Sequence, residues 1–376
     1  MSRTVEHGMV LGAAALITYL GTFVMIGLAP RLNAVVDPDA RRVHERPTAT
    51  GGGAAMYAGV LASLIVATQL DSFREVFAGS SEALAVVVAA SVMFAVGALD
   101  DLKELSAPAK VAGQVLAGSL LAVLGVSLFY VRVPFSGLFV LSPDWATLIT
   151  VLLVVIVANA VNLIDGLDGL AAGTVGIAAG AFYIYSQQLQ SAGLITDSNL
   201  GPLLALITFG ACLGFLPHNF HPAKIFMGDG GALLLGLLMA SATMTVGGRV
   251  TDQFSGQTYF FFAPIVIPFF ILGVPLFDAG LAIVRRAARR VSLSAADKDH
   301  LHHRLMRMGH GHRRTVLLLW AWTALLSAVA LVPTITGDGD ALVPFGLAGV
   351  AVLLFLLLRP GNRVAQPTEP AAHKLQ

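Results

Sequence analysis

Runs of about 17 to 25 mostly apolar residues, each long enough to cross the hydrocarbon core of a bilayer, recur along almost the whole chain. They predict spans near 7–29, 51–70, 83–99, 108–126, 146–162, 169–187, 200–217, 230–247, 259–280, 315–334 and 341–359. The first run is longer than a signal-peptide core and ends in Pro30 and Arg31 without a small-residue cleavage site, so it reads as a retained helix. An odd number of crossings puts the termini on opposite sides, and the basic residues decide which side is cytoplasmic. Of the 23 Lys and Arg, all but Arg3, Arg74, Arg132 and Arg249 fall in segments on one side. The N-terminus is therefore expected outside and the C-terminus inside.

Two connecting segments carry patterns of their own. Residues 127–142 are β-branched and aromatic around a central Ser-Gly, the pattern of a small external β-hairpin. Residues 281–296 alternate apolar positions such as Ile283, Val284 and Val291 with Arg285, Arg286, Arg289 and Arg290, the pattern of a basic helix lying on an anionic leaflet. The expected fold class is all-α: a polytopic membrane protein of about eleven transmembrane helices, forming one integral membrane domain over 1–360. A disordered cytoplasmic tail over 361–376 completes the chain.

Composition agrees: 56% of residues are hydrophobic, 12% are charged, and the mean hydropathy is +0.79. The net charge of +1, without a long basic stretch interleaved with aromatics, excludes a nucleic-acid partner. The single cysteine, Cys212, sits in an apolar run and cannot form an internal disulfide.

Candidate chemistry follows from where the carboxylates fall. Asp100 and Asp101, Asp165 and Asp168, Asp229 and Asp278 all lie at predicted helix ends or loops on the cytoplasmic side. Ionisable groups at membrane depth are expensive, so several at one level indicate a polar site. The adjacent Asp100 and Asp101 repel unless a cation or a shared proton relieves them. In NAVNLIDGLDGL, Asn159, Asn162 and Asp165 recur every three residues on one helical face until Gly166 breaks it, and Asp168 stands at the start of the next helix. In HNFHPAKIFMGDGG, Lys224 supplies a cation, Phe226 a flat ring able to stack on a base, and Asp229 a hard oxygen ligand at a glycine-flanked helix start. The histidine-rich KDHLHHRLMRMGHGHRR adds His300, His302, His303 and Arg304. A zinc reading of that spacing lacks the second ligand pair such sites use, whereas imidazoles and a guanidinium suit an anionic substrate. His310 and His312 read as surface residues. The first cytoplasmic loop contributes Asp37, Arg41, Arg42, His44 and Arg46 before a glycine run. Phosphorylated substrates would be repelled by these carboxylates without a bridging divalent cation, so Mg²⁺ is expected, with Mn²⁺ as a substitute.

Four elements in order, GALDD, NxxNLIDGLDGL, PAKIFMGDxG and HLHHR, resemble the polyprenyl-phosphate N-acetylhexosamine-1-phosphate transferases over nearly the whole chain. HLHHR is similar to the branch that handles N-acetylglucosamine rather than muramyl pentapeptide. The resemblance implies UDP-GlcNAc and a polyprenyl phosphate as substrates, UMP as product, and the cell membrane as location, with a homodimer as the assembly. It implies Mg²⁺ on Asp229 and Asp165, Asp100 as the base acting on the lipid phosphate with Asp101 assisting, and Asn162 lining the phosphate region. It further implies Phe226 stacking on uracil and Asp168 bonding its edge, with Lys224, His300, His302, His303 and Arg304 holding phosphate and sugar. Asn159 and His44 complete the expected binding set. The chain departs from the family's Pro-Thr-Pro with Pro47-Thr48-Ala49. The rivals are another UDP-N-acetylhexosamine or UDP-MurNAc-pentapeptide as donor, and, from another class, an ion-coupled transporter. A transporter places its charges near the midplane, within broken helices.

Overall fold

The computed structural model describes residues 1–36, 47–133, 137–247, 272–288, 305–306, 308–336, 349 and 351. The described chain is mostly helical: α1 (Arg3–Leu28), α2 (Gly52–Ala67), the short α3 (Arg74–Phe77), α4 (Glu82–Lys103), α5 (Ala107–Val123), α6 (Pro143–Ile164), α7 (Leu170–Ser191), α8 (Gly201–Asn219), α9 (Gly228–Gly247), α10 (Gly273–Ala288) and α11 (His312–Thr336). Five of them, α1, α4, α6, α8 and α9, are long and apolar enough to cross a membrane. A sixth crossing is available if α2 and the segment Asp71–Phe77, bent from it by 99°, count as one. The expected spans 259–280 and 341–359 lie mostly outside the described residues, as does the second half of the basic segment 281–296. Its first half continues α10. Strands β1 (Tyr130–Val133) and β2 (Gly137–Val140) pair antiparallel with Tyr130 opposite Val140, as the alternation predicts.

Helix α9 is the centre of the bundle. It packs against α4, α6, α8 and α2, and no apolar face of it is left for lipid. The sequence permits this through small residues, which let backbones approach where apolar surface gains nothing over lipid tails. A Cβ on Gly97 of α4 would lie 2.5 Å from the Asp229 carbonyl, and one on Gly53 of α2 would overlap the Gly231 amide. On the flank, Gly59 of α2 and Gly210 and Gly214 of α8 meet the Leu11–Thr18 stretch of α1, while Leu20, Phe23 and Val24 point outward. Several buried hydroxyls bond back to their own helices, as Ser241 does to Leu237 O and Thr243 to Met239 O, both at 2.8 Å.

Chain direction brings one end of the bundle into focus. The C-terminal ends of α4, α6 and α8 and the N-terminal ends of α5, α7, α9 and α11 carry Asp100, Asp101, Asn162, Asp165, Lys110, Asp168, Asp229 and His312.

Candidate active site

The site is organised by one loop, 220–228, between α8 and α9. Its backbone is tied to the glycine run before α2: Phe226 N–H donates to Ala49 O at 2.8 Å, Gly52 N–H to Phe226 O at 3.0 Å and Gly53 N–H to Met227 O at 2.9 Å. The underside is held by Asn219, buried to 2% exposure, whose amide accepts from Gly169 N–H at 3.0 Å and donates to Ile225 O at 2.9 Å. Two glycines in the left-handed region make the turns, Gly228 at φ +67° and Gly169 at φ +78°. A side chain at Gly228 would run into the Asp101 carboxylate.

At one end of the loop lies a charge cluster. The Asp101 carboxylate accepts from Asp229 N–H at 2.8 Å and Gly230 N–H at 3.1 Å, so it caps the N-terminus of α9 from a neighbouring helix. Beside it, Lys110 in the first turn of α5 pairs with Asp100 Oδ2 at 2.9 Å and with Asp229 Oδ2. Asp100 Oδ1 accepts from Leu105 N–H at 2.6 Å, which fixes the turn from α4 into α5. With its amide turned to suit its neighbours, Asn162 donates to Asp229 Oδ1 at 3.0 Å and accepts from Lys110 Nζ at 3.2 Å. Among the described residues the cluster thus holds three carboxylates against one ammonium, all largely enclosed, and Lys110 Nζ occupies the place where this donor set calls for a cation. Those oxygens suit a hard divalent ion.

At the other end sits Asp168, 9% exposed. Its Oδ2 accepts from His221 Nδ1 at 2.7 Å and from Ala223 N–H at 3.1 Å. The His221 ring stacks on that of His312 with centroids 4.1 Å apart, and Arg313 donates to His221 O at 3.1 Å. Burial holds the His312 imidazole below its ordinary range. Asp168, His221 and His312 place ligand-capable atoms within 4.8 Å of one another. Asp165 stands just past the end of α6. Its enclosure first, then the neighbouring Asp101 and Asp168 carboxylates, push its carboxyl up to about 7.

The structure thus brings together Asp100, Asp101, Asn162, Asp165, Asp168 and Asp229, with Phe226 and Lys224 on the loop joining its two ends and Lys224 exposed. Asn159 faces α5 instead, exchanging hydrogen bonds with the buried Gln114 at 2.6 and 3.4 Å. His44, His300, His302, His303 and Arg304 lie outside the described residues. Two readings need correction. His310 and His312 are not surface residues: His310 is 2% exposed and the His312 side chain 11%, because the start of α11 packs against the rest of the bundle. Lys110, Gln114 and His221 escaped the sequence reading, although Lys110 and Gln114 stand four apart on one helical face leading from the acidic loop.

A helical bundle buried in the bilayer, with carboxylates and an ammonium gathered at one end, defines a polytopic membrane enzyme built to handle charged substrates. The chain belongs to glycosyl transferase family 4, whose profile matches residues 83–247. It is 40% identical over 364 residues to the decaprenyl-phosphate N-acetylglucosaminephosphotransferase of Mycobacterium leprae, covering 93% of this chain and 90% of that one. It is 32% identical over 343 residues to the phospho-N-acetylmuramoyl-pentapeptide-transferase of Desulforudis audaxviator, covering 85% and 96%. With the undecaprenyl-phosphate alpha-N-acetylglucosaminyl 1-phosphate transferase of Yersinia pestis it shares 27% over 341 residues, covering 89% and 84%.

Proposed function

We propose that the protein transfers N-acetylglucosamine 1-phosphate from UDP-GlcNAc to a membrane polyprenyl phosphate, releasing UMP, at the cytoplasmic face of the cell membrane. The observation that carries this reading is the loop 220–228, which joins a carboxylate and cation cluster to a buried acceptor across an aromatic residue. That is the order of parts a nucleotide diphosphate presents: phosphates at one end, a flat base with polar edges at the other. The N-acetylglucosamine relatives, at 40% identity over nearly the full length, support the sugar, and HLHHR supports that branch against the muramyl pentapeptide donor.

In this reading Asp229 and Asp165 would hold Mg²⁺, or Mn²⁺ in its place. When bound, the ion neutralises charge that builds on the diphosphate. The chain's own groups do the rest. Asp101 fixes the start of α9 and so aims the Asp229 carboxylate. Asp100 is the base that orients the lipid phosphate, and Lys110 beside it is placed to screen two approaching phosphates. Phe226 stacks on the uracil and Asp168 takes its edge, while Lys224, His44, His300, His302, His303 and Arg304 hold phosphate and sugar. The lipid phosphate oxygen attacks the sugar-linked phosphorus directly, and UMP departs. Eleven spans, with the N-terminus outside, put this end of the bundle in the cytoplasm, and a homodimer is the assembly to be checked by the mass of the solubilised particle.

The test is UMP release by the purified protein with polyprenyl phosphate, offering UDP-GlcNAc, UDP-GalNAc and UDP-MurNAc-pentapeptide in parallel, alongside Asp229→Ala and a chelator. Lipid-dependent release from UDP-GlcNAc that is lost in both controls supports the reading. Release from another donor alone reassigns the sugar, and no release from folded protein with any donor and several carriers returns the ion-coupled transporter to the front.

A further inference from the structure

The Asp168 end of the loop contains two histidines that the reaction as proposed does not use. We propose that His221 and His312 are positioning residues that hold one oxygen of Asp168 so that the other faces the donor's pyrimidine, and that they thereby select uracil over cytosine. The inference rests on the reading that Asp168 takes the nucleobase edge.

Two N–H donors converge on the same atom, Asp168 Oδ2: His221 Nδ1 at 2.7 Å and Ala223 N at 3.1 Å. Among the described residues Oδ1 takes no comparable hydrogen bond, so the carboxylate is anchored by one oxygen and presents the other. The His221 ring cannot turn freely to release that bond. One face is covered by His312, with centroids 4.1 Å apart and planes 21° from parallel, and its own carbonyl is held by Arg313 at 3.1 Å. His312 is itself fixed at the start of α11, with only 11% of its side chain exposed. An ionised carboxylate can only accept. Uracil offers it an imide N–H flanked by two carbonyls, whereas cytosine presents a bare ring nitrogen there, whose lone pair a fixed carboxylate repels. A site that leaves a buried acceptor unpaired rejects the wrong base far more strongly than one relying on shape.

The three side chains could instead be metal ligands, since their donor atoms lie within 4.8 Å of one another. Against this, Asp168 Oδ2 already receives a backbone N–H, and His312 Nε2 stands 3.9 Å off. The two accounts differ in what Asn can replace. At position 221, Asn puts an N–H where Nδ1 was but is a poor transition-metal ligand.

The experiment measures competition by UDP and by CDP against UDP-GlcNAc in the full-length solubilised enzyme, for wild type, H221L, H221N, H312A, H312F and D168N. H221L is expected to weaken UDP about tenfold, the scale of one charge-assisted hydrogen bond, while leaving CDP nearly unchanged, so that the UDP:CDP preference collapses. H221N should keep most of the preference. H312A should lose part of it, and H312F, which preserves the stacked ring, should retain it. D168N tests the underlying reading: if it leaves the preference intact, Asp168 does not face the base. If D168N abolishes the preference while H221L and H312A leave it unchanged, or if H221L weakens UDP and CDP equally, the positioning role is wrong and the reading of Asp168 survives. Failure of H221N to rescue, together with Zn²⁺ binding that H312F abolishes, would overturn the proposal in favour of a metal site.

Discussion

Replacing Lys110 by methionine removes the ammonium held, among the described residues, by Asp100 and Asp229 while keeping a side chain of similar length. The side chains of Lys110, Asp100 and Asp229 are 17%, 16% and 25% exposed, so the cluster is mostly shielded from water without being dry. A pair of unit charges 4 Å apart at an effective dielectric near 20 interacts by about 4 kcal/mol. Partial solvent access and the desolvation of the ammonium reduce the net coupling to Asp229 to roughly 1.5–3 kcal/mol. A divalent ion on Asp229 competes with that ammonium, so K110M should bind Mn²⁺ about ten- to a hundredfold more tightly than wild type. Lys110→Arg keeps the charge and should stay within about threefold of wild type. Binding is read without substrate, by titration calorimetry or by the loss of the free Mn²⁺ resonance, so turnover does not enter. K110M should nevertheless turn over more slowly, because two phosphates must then approach the carboxylates without its charge. Equal or weaker Mn²⁺ binding by K110M would refute the argument that Lys110 occupies the cation's place.

Three further outcomes follow from the geometry. Because the Asp165 carboxyl titrates at about 7, it is charged at pH 8 and protonated at pH 6. Mn²⁺ affinity should therefore rise with pH through that window, by up to about tenfold per unit on the acid side, and D165N should flatten the profile. Gly97→Val forces a side chain against the Asp229 carbonyl, 2.5 Å from where its Cβ would be. It should destabilise by about 1–3 kcal/mol and cut turnover more than it changes donor KM, seen in a melting curve and initial rates. Asn219→Leu strands Gly169 N–H and Ile225 O in a buried setting and should cost about 2–4 kcal/mol, with loss of activity where the loop is no longer held.

Much of this architecture was legible because membranes impose a blunt rule: an apolar run of sufficient length is a helix. That rule located α1, α4, α6, α8 and α9 within a few residues, and the alternation in 127–142 located the β1–β2 pair. The acidic motifs were legible too, since carboxylates such as Asp100, Asp165 and Asp229 stand out against apolar flanks. What the sequence hid was pairing across helices. Lys110 reads as ordinary positive-inside charge until the fold sets it between Asp100 and Asp229. Gln114 is one polar residue in an apolar run, and only the packing of α5 on α6 gives it Asn159 as partner. Asp101 reads as a twin of Asp100, yet it serves the amides of α9, 128 residues away in the chain. His312 reads as a surface residue, whereas its ring packs over His221. Each of these depends on which helix ends meet, which periodicity along a single helix does not encode.

The most direct test of the central claim follows the β-phosphate of the donor. UDP-GlcNAc labelled with ³²P at the sugar-linked phosphate would be incubated with the full-length enzyme, polyprenyl phosphate and Mg²⁺, and the organic phase separated from the aqueous nucleotide. Label is expected in a lipid diphosphate carrying N-acetylglucosamine, with unlabelled UMP in equal amount. Label left in water as UDP, with the sugar alone moved to the lipid, would contradict it.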